Sequence, residues 1–213
     1  PSGPGLGERL GQWIDWNRAV VLARALDGRL PEAGVTGDAA GDVAAEAAEC
    51  ARIRASLAEV IASERGLNLP AAAAAPDYVP FRQYCLAMQR AMQTASGRLR
   101  GQLRERLAAG SPEMARLAEV DAVMEQALSP REHGLLSGVP LMLEAHFGRL
   151  CAAAAQPQGE AAESQAAATV PPSVATPGAW LALFRRDLKD VLLAELDVRF
   201  HPIEGLLAAL RTS

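Results

Sequence analysis

Asp121 and Glu125 stand four residues apart, and Glu132 follows seven residues later. On a helix the first two carboxylates share one face. Two like charges so placed repel unless a cation lies between them or one of them holds a proton. Asp121 also falls beside the apolar positions Met114, Leu117, Met124 and Leu128. A carboxylate in such surroundings can serve as a general acid or base. Together with Glu125, Arg131, Glu132 and His133 it would line an acidic pocket for a small molecule or for an enzyme's substrate. The same residues have a plainer reading, in which Asp121 is a structural ion-pair partner of an arginine such as Arg98, Arg104 or Arg186. Buried carboxylates are normally paired, and arginine is abundant here, so the ion pair is the preferred expectation.

Other chemistry is not signalled. His133, His146 and His201 lie in different segments, and no His-x-x-x-His or Cys-x-x-Cys pair exists in the sequence. The usual zinc spacings are therefore missing. Phosphate loops, dinucleotide fingerprints and nucleophile elbows are missing too. No catalytic residue, metal site or cofactor is expected, and the reading leans away from an enzyme. Arg82, Arg90, Arg98, Arg100, Arg104 and Arg106 could form a phosphate track. Without interleaved aromatics, and in a chain of net charge -4, they read as a solvated face. Nucleic acid is therefore not an expected partner. Met88, Met92, Met114, Met124 and Met142 read as core filling before they read as an adaptable groove.

Candidate contact residues are aromatic. Trp13 and Trp16 flank Asp15, and Trp180 precedes Phe184 by four residues. Each pair could anchor a protein partner or a second copy of the chain. Trp13 also has a simple core-filling reading, with Trp16 covering its edge.

These side chains need helices to hold them. Half of the 213 residues are hydrophobic but only 4% are aromatic, and no strand alternation is evident. The expectation is an all-α antiparallel helix bundle of about six to seven helices. Phe81, Tyr84, Cys85, Met88, Met92, Ala95, Leu99, Leu103 and Leu107 recur at steps of three and four, as one stripe of a helix. Ser111-Pro112 and Ser129-Pro130 each look like a helix start, with a hydroxyl cap and a proline where no N–H is needed. Pro140 predicts a kink or short break near Val139. A first helix is expected from about Leu6 to Leu26 and a second around Val43–Ile61. A helix opened by Thr176-Pro177 is expected to stop at Pro202, leaving a short final helix to Leu210. Gln156 to Ala175 carries almost no large apolar side chain and predicts a flexible Ala/Pro/Gln-rich linker. The expected organisation is thus a main bundle over 1–155, a linker over 156–176, and a C-terminal helical pair over 177–213. That pair would dock on the bundle or on another subunit.

No apolar run approaches the roughly 18–20 residues needed to cross a bilayer. No basic-then-apolar stretch opens the sequence, and Pro1-Ser2-Gly3-Pro4 reads as a tag remnant or an internal start. Cys50, Cys85 and Cys151 are an odd number, far apart, on expected apolar faces. They fit reduced core residues of a cytoplasmic protein.

Three stretches carry a resemblance: Gln12-Trp13-Ile14-Asp15-Trp16; Leu117 to Leu136 with Met124-Glu125-Gln126 and Arg131-Glu132; and Asp187 to Leu210 with Leu193-Ala194-Glu195-Leu196 and Glu204-Gly205-Leu206-Leu207. With these the chain resembles a family of uncharacterised bacterial helical proteins classed as a domain of unknown function. The resemblance implies no activity, cofactor or site residue. It does imply a cytoplasmic accessory role beside an envelope proton-channel-type complex.

Overall fold

Where each helix begins follows from local chemistry. The computed structural model describes residues 16–27, 39–67, 77–155 and 178–212. Every regular element among them is an α-helix: α1 Trp16–Asp27, α2 Ala39–Ala62, α3 Val79–Ala108, α4 Pro112–Leu136, α5 Val139–Ala155 and α6 Ala179–Arg211. The expected linker over 156–176, Trp13 and the Thr176-Pro177 start lie outside the described residues.

The Asp77 carboxylate accepts from the Val79 N–H at 3.1 Å, and Pro80 follows in the first turn of α3. Ser111 caps α4 in an extended conformation, its Oγ accepting from the Met114 N–H at 3.4 Å, with Pro112 at the first helical position. Gly110 lies close to the next helix: a Cβ there would meet Met114 Sδ at 2.7 Å and make that flexible side chain shift.

Two expected breaks are absent. Ser129-Pro130 does not start a helix: α4 continues through Pro130 to Leu136. Likewise α6 continues through Pro202 to Arg211, so the expected C-terminal pair is one helix. An interior proline costs about 3 kcal/mol, and tertiary contacts on both sides offset it. Around Pro130 the ties are Asp121 and Glu125 to α3 before it, and Glu132 to Arg199 and the Leu136 carbonyl to Gln89 after it. Around Pro202 the buried stripe Leu188, Leu192, Leu196, Phe200, Ile203, Leu207 and Leu210 stays in helical phase. The break expected near Val139 does occur: Ser137 and Gly138 separate α4 from α5, and Pro140 sits in the first turn of α5.

Contacts fix the helix directions. Gln89 meets Leu136 and Arg100 meets Asp121, so α3 and α4 are antiparallel. Arg54 meets Glu204 while Glu64 meets Arg185, so α2 and α6 are antiparallel. Phe81 meets Phe184 and Gln89 meets Glu195, so the two longest helices, α3 and α6, run the same way. The packing is mixed rather than wholly antiparallel.

The core lies between α3 and α6, with Phe81, Cys85, Met92, Leu99 and Leu107 facing Phe184, Leu192, Leu196 and Ile203, and α2 adding Ile61. The leucine stripe expected of α4 is not deeply buried. Leu117 is 38% exposed, and the buried residues of α4 are Ala118 and Ala127. Nine residues separate these alanines, half a turn out of phase at about 100° per residue. Ala118 joins the main core, whereas Ala127 does not. The opposite face of α4 packs against α1, where Ala25 is buried. A helix covered on two sides has no single apolar stripe to display.

Candidate functional site

The acidic residues singled out in the sequence sit where α3, α4 and α6 meet. Antiparallel packing brings Arg100 and Arg104, one turn apart on α3, against Asp121 and Glu125, one turn apart on α4. Arg100 Nη2 donates to Asp121 Oδ1 at 2.7 Å and Arg100 Nε to Oδ2 at 2.9 Å, a bidentate pair. Arg104 Nη1 donates to Glu125 Oε2 and lies 3.5 Å from Asp121 Oδ2. The cation between the two carboxylates is thus supplied by the protein. Arg104 was among the arginines expected; Arg98 instead lies 3.6 Å from Glu49, and Arg186 bonds its neighbour Asp187. Arg100 was not anticipated. Guanidinium donors thus engage both Asp121 oxygens.

A second ionic layer was missed. Glu195 is only 4% exposed. Its Oε1 accepts from Arg199 Nε at 3.0 Å and Nη2 at 2.8 Å, and its Oε2 accepts from Gln89 Nε2 at 2.9 Å. Gln89 Nε2 also donates to the Leu136 carbonyl at 2.9 Å, joining α3, α4 and α6 through one amide. The sequence did hold a signal: Glu195 falls in phase with Leu188, Leu192 and Leu196, and Arg199 follows at the i,i+4 position. A charge on a leucine stripe with its partner one turn on marks a buried pair.

These layers border a cleft of about 230 Å³ lined by Gln93, Arg100, Glu125, Glu132, His133 and Arg199, with Gly97, Ser129, Val198 and Pro202 among the rest. Asp121 and Glu195 lie behind it and do not line it. Arg131 is exposed and is not part of the lining.

The aromatic candidates separate. Trp16 opens α1, and its side chain lies outside the described ones. Trp180 is half-buried, its ring edge-on to Phe147 at 5.3 Å between centroids. Phe184 is 0% exposed and packs against Phe81 and Phe147 at 5.1 and 5.0 Å. It is a core residue, inaccessible to a partner in this fold. His146 lies beside it and bonds Asp187 Oδ2 at 2.9 Å.

Among the described residues, no group of three or more His, Cys, Asp or Glu side chains is placed to hold a metal ion. Among the same residues, no helix is long and apolar enough to cross a membrane. The family model described as "Protein of unknown function (DUF3348)" matches residues 1–212. The chain belongs to this family. The match covers all three stretches that carried the resemblance, and the family's description states no activity. No curated protein and no solved structure matched the chain.

Proposed function

We propose that this chain is a non-enzymatic interaction protein, in which the six described helices act as one bundle and present an apolar elbow to another protein. The observation that carries this is the junction of α4 and α5. Leu135 is 66% exposed in the last turn of α4, and Leu141 is 67% exposed in the first turn of α5, beside exposed Met142. Tyr78 Oη donates to the Pro140 carbonyl at 2.5 Å, which ties the start of α3, where Val79 is exposed, to the start of α5. Single exposed leucines need no explanation, but several large apolar residues at one corner mark an association surface.

The ionic layers support this reading, because their most buried carboxylates, Asp121 and Glu195, hold helices together and do not line the cleft. A reducing, cytoplasmic setting fits Cys50, Cys85 and Cys151, which are all free thiols. The accessory role beside an envelope proton-channel-type complex supplies one class of partner to test; self-association is another. The experiment is recovery of co-purifying proteins with the native chain and with L141D/M142D, alongside light scattering. The variant should keep its helicity and lose the partner or the oligomer. A native chain that stays monomeric and recovers no partner overturns the proposal.

A further inference from the structure

The arginines of the cleft share an unusual arrangement. Each spends its Nε/Nη2 edge on a carboxylate behind the cleft: Arg100 on Asp121, Arg199 on Glu195. Each then turns Nη1 toward a carboxylate that lines the cleft. Arg100 Nη1 lies 3.6 Å from Glu125 Oε1, and Arg199 Nη1 lies 3.7 Å from Glu132 Oε1. Both separations suit an ion pair but exceed hydrogen-bond length. Each pair is thus an ion pair whose Nη1 donor and facing oxygen keep hydrogen-bonding capacity toward the cleft.

Charge and size narrow what can bind beside these pairs. The lining holds two arginines and two glutamates, so its formal charge cancels, with His133 counted neutral. An anion on the Nη1 groups would meet a glutamate, and a cation on the glutamates would meet a guanidinium. A hydroxyl meets neither objection: it accepts from Nη1 and donates to the carboxylate at once. Gln93 and Arg100 are seven residues apart on α3, as are Glu125 and Glu132 on α4. The two arginine–glutamate tiers are thus separated by about 10 Å along the helices. Between them Ser129 offers another hydroxyl, while Gly97, Val198 and Pro202 give a carbon-lined wall. The cleft is smaller than the roughly 300–1,000 Å³ of sites for drug-sized ligands.

We propose that the cleft between α3, α4 and α6 binds a small neutral polyhydroxylated molecule in extended form, a linear polyol, whose hydroxyls bridge Arg100 to Glu125 at one end and Arg199 to Glu132 at the other. This site is separate from the apolar elbow and stands independently of the interaction reading.

The test is calorimetric titration of the full chain with sorbitol and mannitol, whose end hydroxyls lie far enough apart to reach both tiers, against inorganic phosphate, glutamate and putrescine as charged probes. A neutral probe should bind saturably and the charged ones should not. Gly97→Leu should abolish binding without unfolding the protein, because a Cβ at Gly97 meets nothing within 4 Å and leucine is the better helix former. Glu132→Gln should weaken binding about tenfold, as expected for one bond to a charged group. Failure of both neutral probes to saturate overturns the proposal. So does tighter binding of a charged probe, or undiminished binding by Gly97→Leu.

Discussion

Along the paired helices α3 and α6, two kinds of chemistry alternate. At the N-terminal end, Tyr78, Phe81, Phe147, Trp180 and Phe184, five of the chain's nine aromatic residues, meet as tilted and edge-on rings. Two turns further on, the face toward α4 is ionic: Gln89, Glu195 and Arg199, then Arg100, Arg104, Asp121 and Glu125. The ring cluster stabilises by area and shape, which are weakly directional. The ionic layers gain less net energy, but their donors and acceptors match in only one register, and removing one partner leaves the other buried and unpaired. The first region accounts for adhesion between the helices and the second for their alignment.

The largest effect should come from the rings. Phe184→Ala should lower unfolding free energy by about 3–5 kcal/mol in urea titrations, through lost burial and the cavity left behind. A loss under about 1 kcal/mol would break the comparison, because the aromatic end would not be the adhesive one. Asp121→Asn should cost less, about 1.5–3 kcal/mol, the range for a hydrogen bond to a charged group. A double-mutant cycle with Arg100→Leu should show clear coupling. Additive losses would mean that the bidentate pair does not align α3 with α4.

How much of this was legible depended on how local the cause was. The Ser111-Pro112 cap, the break at Pro140 and the all-helical content follow from neighbouring residues, and the sequence displays them. Pro130 and Pro202 carry the same local signal as Pro140, yet both helices run through, held by contacts with other helices, such as Glu132 with Arg199. The arginines of α3 lie on a recognisable face, but choosing Arg100 over Arg98 needs the rotation of α3 against α4, which periodicity does not contain. Phe184 and Trp180 look equally suited to a partner as letters; α5 covers one and only half-covers the other.

A third ionic contact, between the turn that follows α2 and α6, sharpens the contrast through pH. Burial alone would raise the Glu64 carboxyl, but hydrogen bonding and charge from Arg185, with Lys189 nearby, hold it below its ordinary value of 4.5. Because the folded state favours the ionised form, its contribution is present at neutral pH. It is lost as pH falls below 4.5 and through the lower folded value. Glu64→Gln should flatten that acid arm of a stability–pH curve, while Phe184→Ala should shift the curve down without changing its slope. An unchanged acid arm in Glu64→Gln would show that the Arg185 contact does not matter in solution.

The smallest effect, and the most local, concerns the thiol at the border of the two regions. Cys85 lies between Phe81 and Gln89 on α3, fully buried. Burial, with a smaller contribution from the negative charge of Glu195, pushes it up to about 12. The thiolate is the reactive species, so Cys85 should resist iodoacetamide at pH 8 while half-buried Cys151 is modified, as peptide mapping would show. Glu195→Gln removes only the lesser cause and should leave Cys85 protected as long as the rings stay closed. Phe184→Ala opens the larger one and should expose the thiol under conditions where the protein remains mostly folded. If Glu195→Gln exposed Cys85 and Phe184→Ala did not, the roles assigned to the two regions would be reversed.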